Sequence, residues 1–208
     1  MQFDFKLKKY LNKKAEKDWQ LLIRPPQKKY DSFIIVPAKA ELKNIPQLLD
    51  SISNQKKDYL KKCLIIIVIN SSSDDSNKIV ENNNQTIEYL SDNIFNFDLS
   101  YVDATLPFKN SGVGLSRKIG GDLALNYCKE SSIICYTDAD VILSHDYLNK
   151  IIDYYGKHDC GCAIVGFKHQ KNDEPMIDKS IQEYEQFLIN TAKDLKDSGS
   201  PYGYVSLG

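Results

Sequence analysis

Two aspartates one residue apart, Asp138 and Asp140, follow an uncharged apolar run in "SSIICYTDADVILSHDYL" (131–148). Side chains at i and i+2 share a face where the backbone stays extended. Two carboxylates aimed at one point repel, and each becomes harder to ionise. A divalent cation removes that penalty. Magnesium and manganese favour carboxylate oxygens and reach phosphate through only one or two of them. Taken alone, the pair fits a solvated turn that caps the next helix. It also fits a metal–phosphate site, or a phosphohydrolase in which Asp138 attacks phosphorus and Asp140 moves the proton. The phosphohydrolase is disfavoured: over half the chain precedes the pair, and Val141-Ile142 follows it where a small polar pair is expected.

The elements that must position these acids read as alternating strands and helices. "SFIIVPA" (32–38) and "KCLIIIVINS" (62–71) are short, β-branched apolar runs, and the unbroken apolar character of the second implies cover on both faces, as in a parallel sheet. "NIPQLLDSISNQ" (44–55) reads as a helix with Asn44 able to cap it and Pro46 in its first turn. The stretch 75–90 is helical in pattern, weakened by "ENNNQ". "IFNFDLS" (94–100) is a short strand and "VDATLPFKNSGVGLSR" a loop. Leu115, Ile119 and Leu123 then recur at helical spacing around Gly120 and Gly121, which imply close packing or ligand approach. "SIICYT" is a strand, 145–158 a helix, "CGCAIVGFKHQ" a strand, and 180–197 a helix with capping-box spacing between Ser180 and Glu183. Connections long enough for crossovers make this a three-layer α/β/α domain with a mainly parallel sheet, over residues 31–208, preceded by a helical arm over 1–30. Ligands in such sheets sit beyond the carboxyl ends of the strands. Three polar clusters fall there: "PAKAE", "NSSSDD" and "DAD".

Composition bounds the partners. The 208 residues carry a net charge of −1, which argues against a general nucleic-acid-coating or membrane-coating surface. Lysines do cluster early, at Lys6, Lys8, Lys9, Lys13, Lys14 and Lys17. A solvated helix face is the ordinary reading, and a lipid or polyanion patch the alternative. "MQFDFKLKKYLNKK" lacks an apolar signal core, and no run is long enough to span a bilayer. Five cysteines in mostly apolar settings point to reduced thiols and a cytoplasmic protein. "CGC" at Cys160 and Cys162 has neither redox-pair nor zinc-site spacing. His145, His158 and His169 lack partners at ligand spacing, and Glu183 and Glu185 read as surface charges of a helix. Tyr101, Tyr147, Tyr202 and Tyr204 have the chemistry to stack a base or sugar, beside the ordinary role of half-buried packing.

Four segments, in order, resemble the inverting "family 2" glycosyltransferases of GT-A fold, which use nucleotide sugars. "SFIIVPAKAE" is similar to the first strand and P-x-x-N-E signature, and "LIIIVINSSSDDS" to the strand ending V-D-D-G-S-x-D. "GVGLSRKIGGDLAL" is similar to G-x-x-x-A-R-N-x-G, and "IICYTDADVILSHDYL" to the strand ending D-x-D. The resemblance implies that Pro37, Lys39 and Glu41 line a base and ribose pocket. Asn70 and Ser71 would take the places of two acids that recognise the base, and Asp75 the last acidic position of that loop. Arg117 would lie near the pyrophosphate, with Lys118 beside it. Asp138 would approach the ribose and the water shell of the metal, and Asp140 would ligate Mn2+ or Mg2+ directly. The donor would be a nucleotide diphosphate sugar and the acceptor a glycan or lipid-linked chain, met in the cytoplasm or at the inner face of the membrane. Ala40, Asn70, Ser71, Ser116 and Lys118 depart from the family pattern. The general base of the family lies past a glycine-rich approach that "YGYVSLG" resembles, so it is expected beyond Gly208, and no catalytic residue is assigned. A non-catalytic nucleotide-binding or interaction protein on the same scaffold is the alternative.

Overall fold

A computed structural model describes residues 2–106 and 112–205 of the chain. Its elements in chain order are α1 (Gln2–Lys13), β1 (Tyr30–Ala38), α2 (Ile45–Ser53), a single turn α3 (Lys57–Leu60), β2 (Cys63–Ser72), α4 (Asn77–Asp92), β3 (Asp98–Leu106), α5 (Val113–Ala124), β4 (Cys128–Tyr136), α6 (Tyr147–Lys157) and α7 (Pro175–Asp197). Two compact units result, Met1–Lys157 and His158–Gly208. The arm therefore belongs to the same unit as the sheet, and the chain divides after α6 rather than at residue 30.

The strands lie in the order β3-β2-β1-β4 and every pair is parallel. Ile34 pairs with Ile65 and Val36 with Ile67. A parallel sheet needs cover on both faces, and alternation along the strands supplies two cores. Ile34, Val36, Ile65, Ile67 and Ile69 pack with Leu48, Leu49 and Ile52 of α2, Leu90 of α4 and Leu148 of α6. Phe33, Ile35, Leu64, Ile66 and Val68 pack on the other side with Ile119 and Ala124 of α5, and with Phe3, Leu7, Trp19 and Leu21 of the arm. Each fully buried isoleucine or leucine stabilises the fold by roughly 1.5–3 kcal/mol. The arm is also fastened electrostatically. The buried carboxylate of Asp122 accepts the Tyr10 hydroxyl (2.8 Å), the Glu16 amide (2.9 Å) and the Lys118 ammonium (2.7 Å).

Several elements depart from the sequence reading. β3 runs to Leu106 because Ser100–Leu106 pairs with Ile66–Ser72, so much of the expected loop is edge strand; residues 107–111 lie outside the described residues. α5 ends at Ala124, and Cys128 already opens β4. "CGCAIVGFKHQ" forms no strand: among the described residues no neighbouring strand pairs with it, and most of its residues are exposed, so strand propensity alone does not build a ladder there. α7 starts five residues early, with proline in its first turn. Ser180 is thus mid-helix, donating to the Met176 carbonyl (3.0 Å), and is no cap. Of the tyrosines considered for stacking, Tyr101 is buried in the core, Tyr147 packs against it, and Tyr202 and Tyr204 are exposed. Cys63, Cys128 and Cys135 are buried free thiols, and burial pushes Cys63 up to about 12 and Cys135 to about 11.

Gly120 resolves as a packing residue. A β-carbon there would run into the side chains of Ile35 and Val68, both fully buried. Gly120→Val should therefore lower stability in urea unfolding by on the order of 1–3 kcal/mol. Gly114→Ala on the same helix meets open space and should be neutral or stabilising by up to ~1 kcal/mol.

Candidate functional site

Parallel pairing brings the carboxyl ends of β1, β2, β3 and β4 to one edge. β2 and β3 step away from β1 on one side, whereas β4 lies on its other side. The direction of winding therefore reverses between β1 and β4, which is where open α/β sheets offer a crevice. Pro37 marks it. β1 and β4 pair only as far as Ile35 and Tyr136, with a last bond from the Thr137 amide to the Ile35 carbonyl (3.1 Å). Residue 37 points its missing N–H to that same side, where no ladder remains to need it. A proline is tolerated in this central strand for that reason.

Beyond β1 the chain turns through Ala40, whose φ of +58° is left-handed. That conformation favours Gly or Asn over Ala, so Ala40 stores about 1 kcal/mol of backbone strain that neighbours must hold. The holding comes from α4. Buried Asn83 accepts the Ala40 amide (2.8 Å) and donates to the Asn70 carbonyl at the end of β2 (3.0 Å). Asn82 accepts the Leu42 amide (3.2 Å). The asparagines of "ENNNQ" thus tie the two loops together instead of weakening a helix. Lys39 then reaches Asp75 (2.6 Å), whose other oxygen accepts the Ser72 amide (2.6 Å). Glu41 accepts the Asn44 side-chain amide (2.7 Å), which therefore does not cap α2. Ser71 shares a hydrogen bond with Thr105 of β3 (3.1 Å).

On the other side of the crevice, Ala139 is buried while Asp138 is partly exposed and Asp140 is exposed. Both carboxylates are thereby turned from the core. Arg117 of α5 pairs with Asp138 (2.7 Å), and its Nε is buried without a hydrogen-bond partner. Asp140 has no ion-pair or hydrogen-bond partner among the described residues. The exit from β4 is fastened by two buried side chains, Ser51 of α2 and Gln55 just past its C-terminus. Ser51 accepts the Leu143 amide (3.1 Å); Gln55 donates to the Ser144 carbonyl (2.8 Å) and accepts the Leu148 amide (3.1 Å). Ser51, Gln55, Asn82 and Asn83 escaped the sequence reading, because a neutral side chain bonding to backbone leaves no charge or spacing signal.

Among the described residues no three His, Cys, Asp or Glu side chains gather into a metal cage. A cation arriving with a diphosphate needs only one or two protein carboxylates, and the free Asp140 with the adjacent Asp138 is a donor set of that kind. Lys118 has other partners than Arg117 has. It contacts Glu16 (3.1 Å), Asp122 and the Lys14 carbonyl (2.7 Å), which makes it a fastener of the arm. Burial lowers its affinity for the proton, but the hydrogen bonds to Asp122 and Glu16 outweigh that and leave its pKa raised. In the second unit the Glu185 carboxylate is held by the His169 amide (2.7 Å) and ring (2.9 Å), which lower its pKa, and Glu183 lies near Lys179 (3.7 Å).

This is a three-layer α/β domain of GT-A type with an acidic and basic carboxyl edge. The sequence model described as Glycosyl transferase family 2 matches residues 33–205, and the chain belongs to that family. No curated protein matches it. Among solved structures it is similar to TarS 1-349 of S. aureus in complex with UDP-GlcNAc, at 21% identity and a TM-score of 0.41, over 62% of this chain and 32% of that one. It is also similar to the mannosyltransferase PcManGT from Pyrobaculum calidifontis in complex with GDP-Man and Mn2+, at 20% identity and a TM-score of 0.41, over 86% of this chain and 45% of that one. The chain thus spans less than half the length of either. No described helix is long and apolar enough to cross a membrane.

Two outcomes follow from the geometry. Asn83→Ala leaves the Ala40 amide and Asn70 carbonyl without their partner, so urea unfolding should show a loss of about 1–3 kcal/mol. Burial favours protonated Asp75, but the Lys39 and Ser72 hydrogen bonds outweigh it and hold its pKa below the usual aspartate value. The unfolded state therefore binds the proton first as pH falls. This contribution is whole above about pH 4 and is lost as pH drops through the native value. Asp75→Asn should flatten that acid limb in a series of thermal melts and leave the slope above pH 6 unchanged.

Proposed function

We propose that this chain binds a nucleotide diphosphate sugar at the carboxyl edge of its sheet and forms the donor side of a metal-assisted glycosyltransferase. The acceptor would be a glycan or a lipid-linked chain, with the reaction on the cytoplasmic side. The observation that carries the reading is the placement of Arg117, Asp138 and Asp140 beside the β1–β4 crevice, in a chain of this family.

Pro37, Lys39, Glu41, Asn70, Ser71 and Asp75 line the base and ribose side. With Asn70 and Ser71 in place of acids, the base meets an amide and a hydroxyl, whose hydrogen bonds are weaker than those of a charged partner. Arg117 offers the diphosphate the guanidinium donors that Asp138 leaves unused, its buried Nε among them. Asp138 takes the ribose side, and Asp140 is the direct carboxylate ligand. A bound Mn2+ or Mg2+ supplies Lewis acidity that neutralises the leaving diphosphate. In the free protein Arg117 already pairs with Asp138, which places a cation beside the two acids before donor arrives. Lys118 is left out of the donor site because the arm engages it. Glu183 and Glu185 are not assigned as base.

Calorimetric titration with UDP, GDP and ADP, with and without Mn2+, tests the reading. At least one nucleotide should bind, and more tightly with the metal. Asp140→Ala should abolish the metal-dependent increment and Asp146→Ala should leave it intact. Arg117→Ala should weaken binding ten- to a hundredfold, the loss of about 1.5–3 kcal/mol of charge-assisted hydrogen bonding. Failure of all three nucleotides to bind the folded protein would sink the proposal.

A further inference from the structure

Helix α1 has two dissimilar faces. Phe3, Leu7, Tyr10 and Leu11 are partly buried, with Phe3 and Leu7 packed on the core of the sheet and Tyr10 bonded to Asp122. At 3.6 residues per turn, the opposite face carries Phe5, Lys9 and Lys13 in one row, with Lys8 and Asn12 on one flank and Lys6 on the other. All six are exposed, and Phe5 is 69% exposed in the middle of the lysines. None of Lys6, Lys8, Lys9 and Lys13 has an ion-pair or hydrogen-bond partner among the described residues. Of the three acids of the arm, only Asp4 lies on α1, exposed and one turn before Lys8 at the edge of the face; Glu16 is turned to Lys118, and Asp18 lies past the helix.

We propose that this face of α1 docks the protein on an anionic phospholipid surface, with Phe5 entering the headgroup region and the four lysines meeting lipid phosphates and carboxylates. A face kept basic only for solubility has no use for a phenyl ring at its centre, whereas an interfacial helix combines basic residues with an apolar side chain. The choice of lysine alone also matters. Compact ammonium charges suit a diffuse anionic surface, whereas nucleic-acid recognition draws on the planar fork of arginine, and α1 has none. With a net charge of −1 the chain as a whole is not drawn to an anionic surface, so attraction through a local basic face would orient the protein as well as hold it. The inference goes beyond the donor-site reading and does not depend on it.

The test is sedimentation of the full chain with vesicles of equimolar phosphatidylcholine and phosphatidylserine, against vesicles of phosphatidylcholine alone. Binding should require the anionic lipid and fall steeply as salt is raised. Each lysine at the surface is worth about fivefold, so Lys9→Glu with Lys13→Glu should weaken binding by at least ~25-fold. Phe5→Ser should weaken it by roughly tenfold and leave the salt dependence in place. Lys78→Glu, an exposed lysine of α4, should have little effect. Far-UV circular dichroism and an unchanged urea-unfolding midpoint establish that the variants are folded, so the outcome is read whether or not the chain binds nucleotide. No preference for anionic vesicles, or a preference that survives the double charge reversal, overturns the proposal. So does tighter binding to a single-stranded oligonucleotide than to the vesicles, which would assign the patch to nucleic acid.

Discussion

β1 lies between two parallel strands, and all of its residues except Asp31 are buried. Its two ladders and its two faces consume every direction in which the strand could have met water. Polar chemistry is thereby confined to its carboxyl end. Parallel pairing forces the ends of β2 and β4 to the same edge, and the reversal of winding beside β1 opens the crevice between them. Pro37 sits where the β4 ladder stops, so the position with no amide to offer coincides with the position that has no acceptor facing it.

Holding loops at such an edge is a matter of satisfying backbone groups away from water. A buried amide or carbonyl without a partner is penalised by roughly 1–3 kcal/mol, a large fraction of what a domain of this size has to spare. Here neutral side chains do that work: Asn83 and Asn82 from α4 for the β1 and β2 loops, and Ser51 from α2 with Gln55 just beyond it for the exit of β4. The charged groups are thus free of structural duty on the β4 side, apart from the Arg117–Asp138 pair. Asp140 is left exposed and without an ion-pair or hydrogen-bond partner among the described residues.

The arm and the second unit show the same physics with other outcomes. Lys118 and Asp122 are four residues apart on α5, and burial of the carboxylate makes three donors converge on it. That convergence turns an N-terminal segment of ordinary charged composition into part of the second core. Residues 158–174 have apolar, β-branched stretches but no ladder partner, and Ile164 and Val165 stay exposed. Propensity without a neighbouring strand does not make a strand.

The sequence alone determined β1, β2 and β4, the alternation with helices, the parallel class and the three polar strand ends, while it placed β3 too early and added a strand at "CGCAIVGFKHQ" that does not form. These follow from local periodicity and from unbroken apolar runs, which are properties of neighbouring residues. The family resemblance was legible for the same reason. Partnership across the chain was not. That Lys39 meets Asp75, that Arg117 meets Asp138 while Lys118 turns to the arm, and that two asparagines hold a left-handed alanine all join residues that folding alone brings near. Successive residues of a helix point some 100° apart. Adjacent identities as alike as Arg117 and Lys118 were therefore sent to different partners by the rotation of α5 against the sheet, which only packing of the whole unit decided.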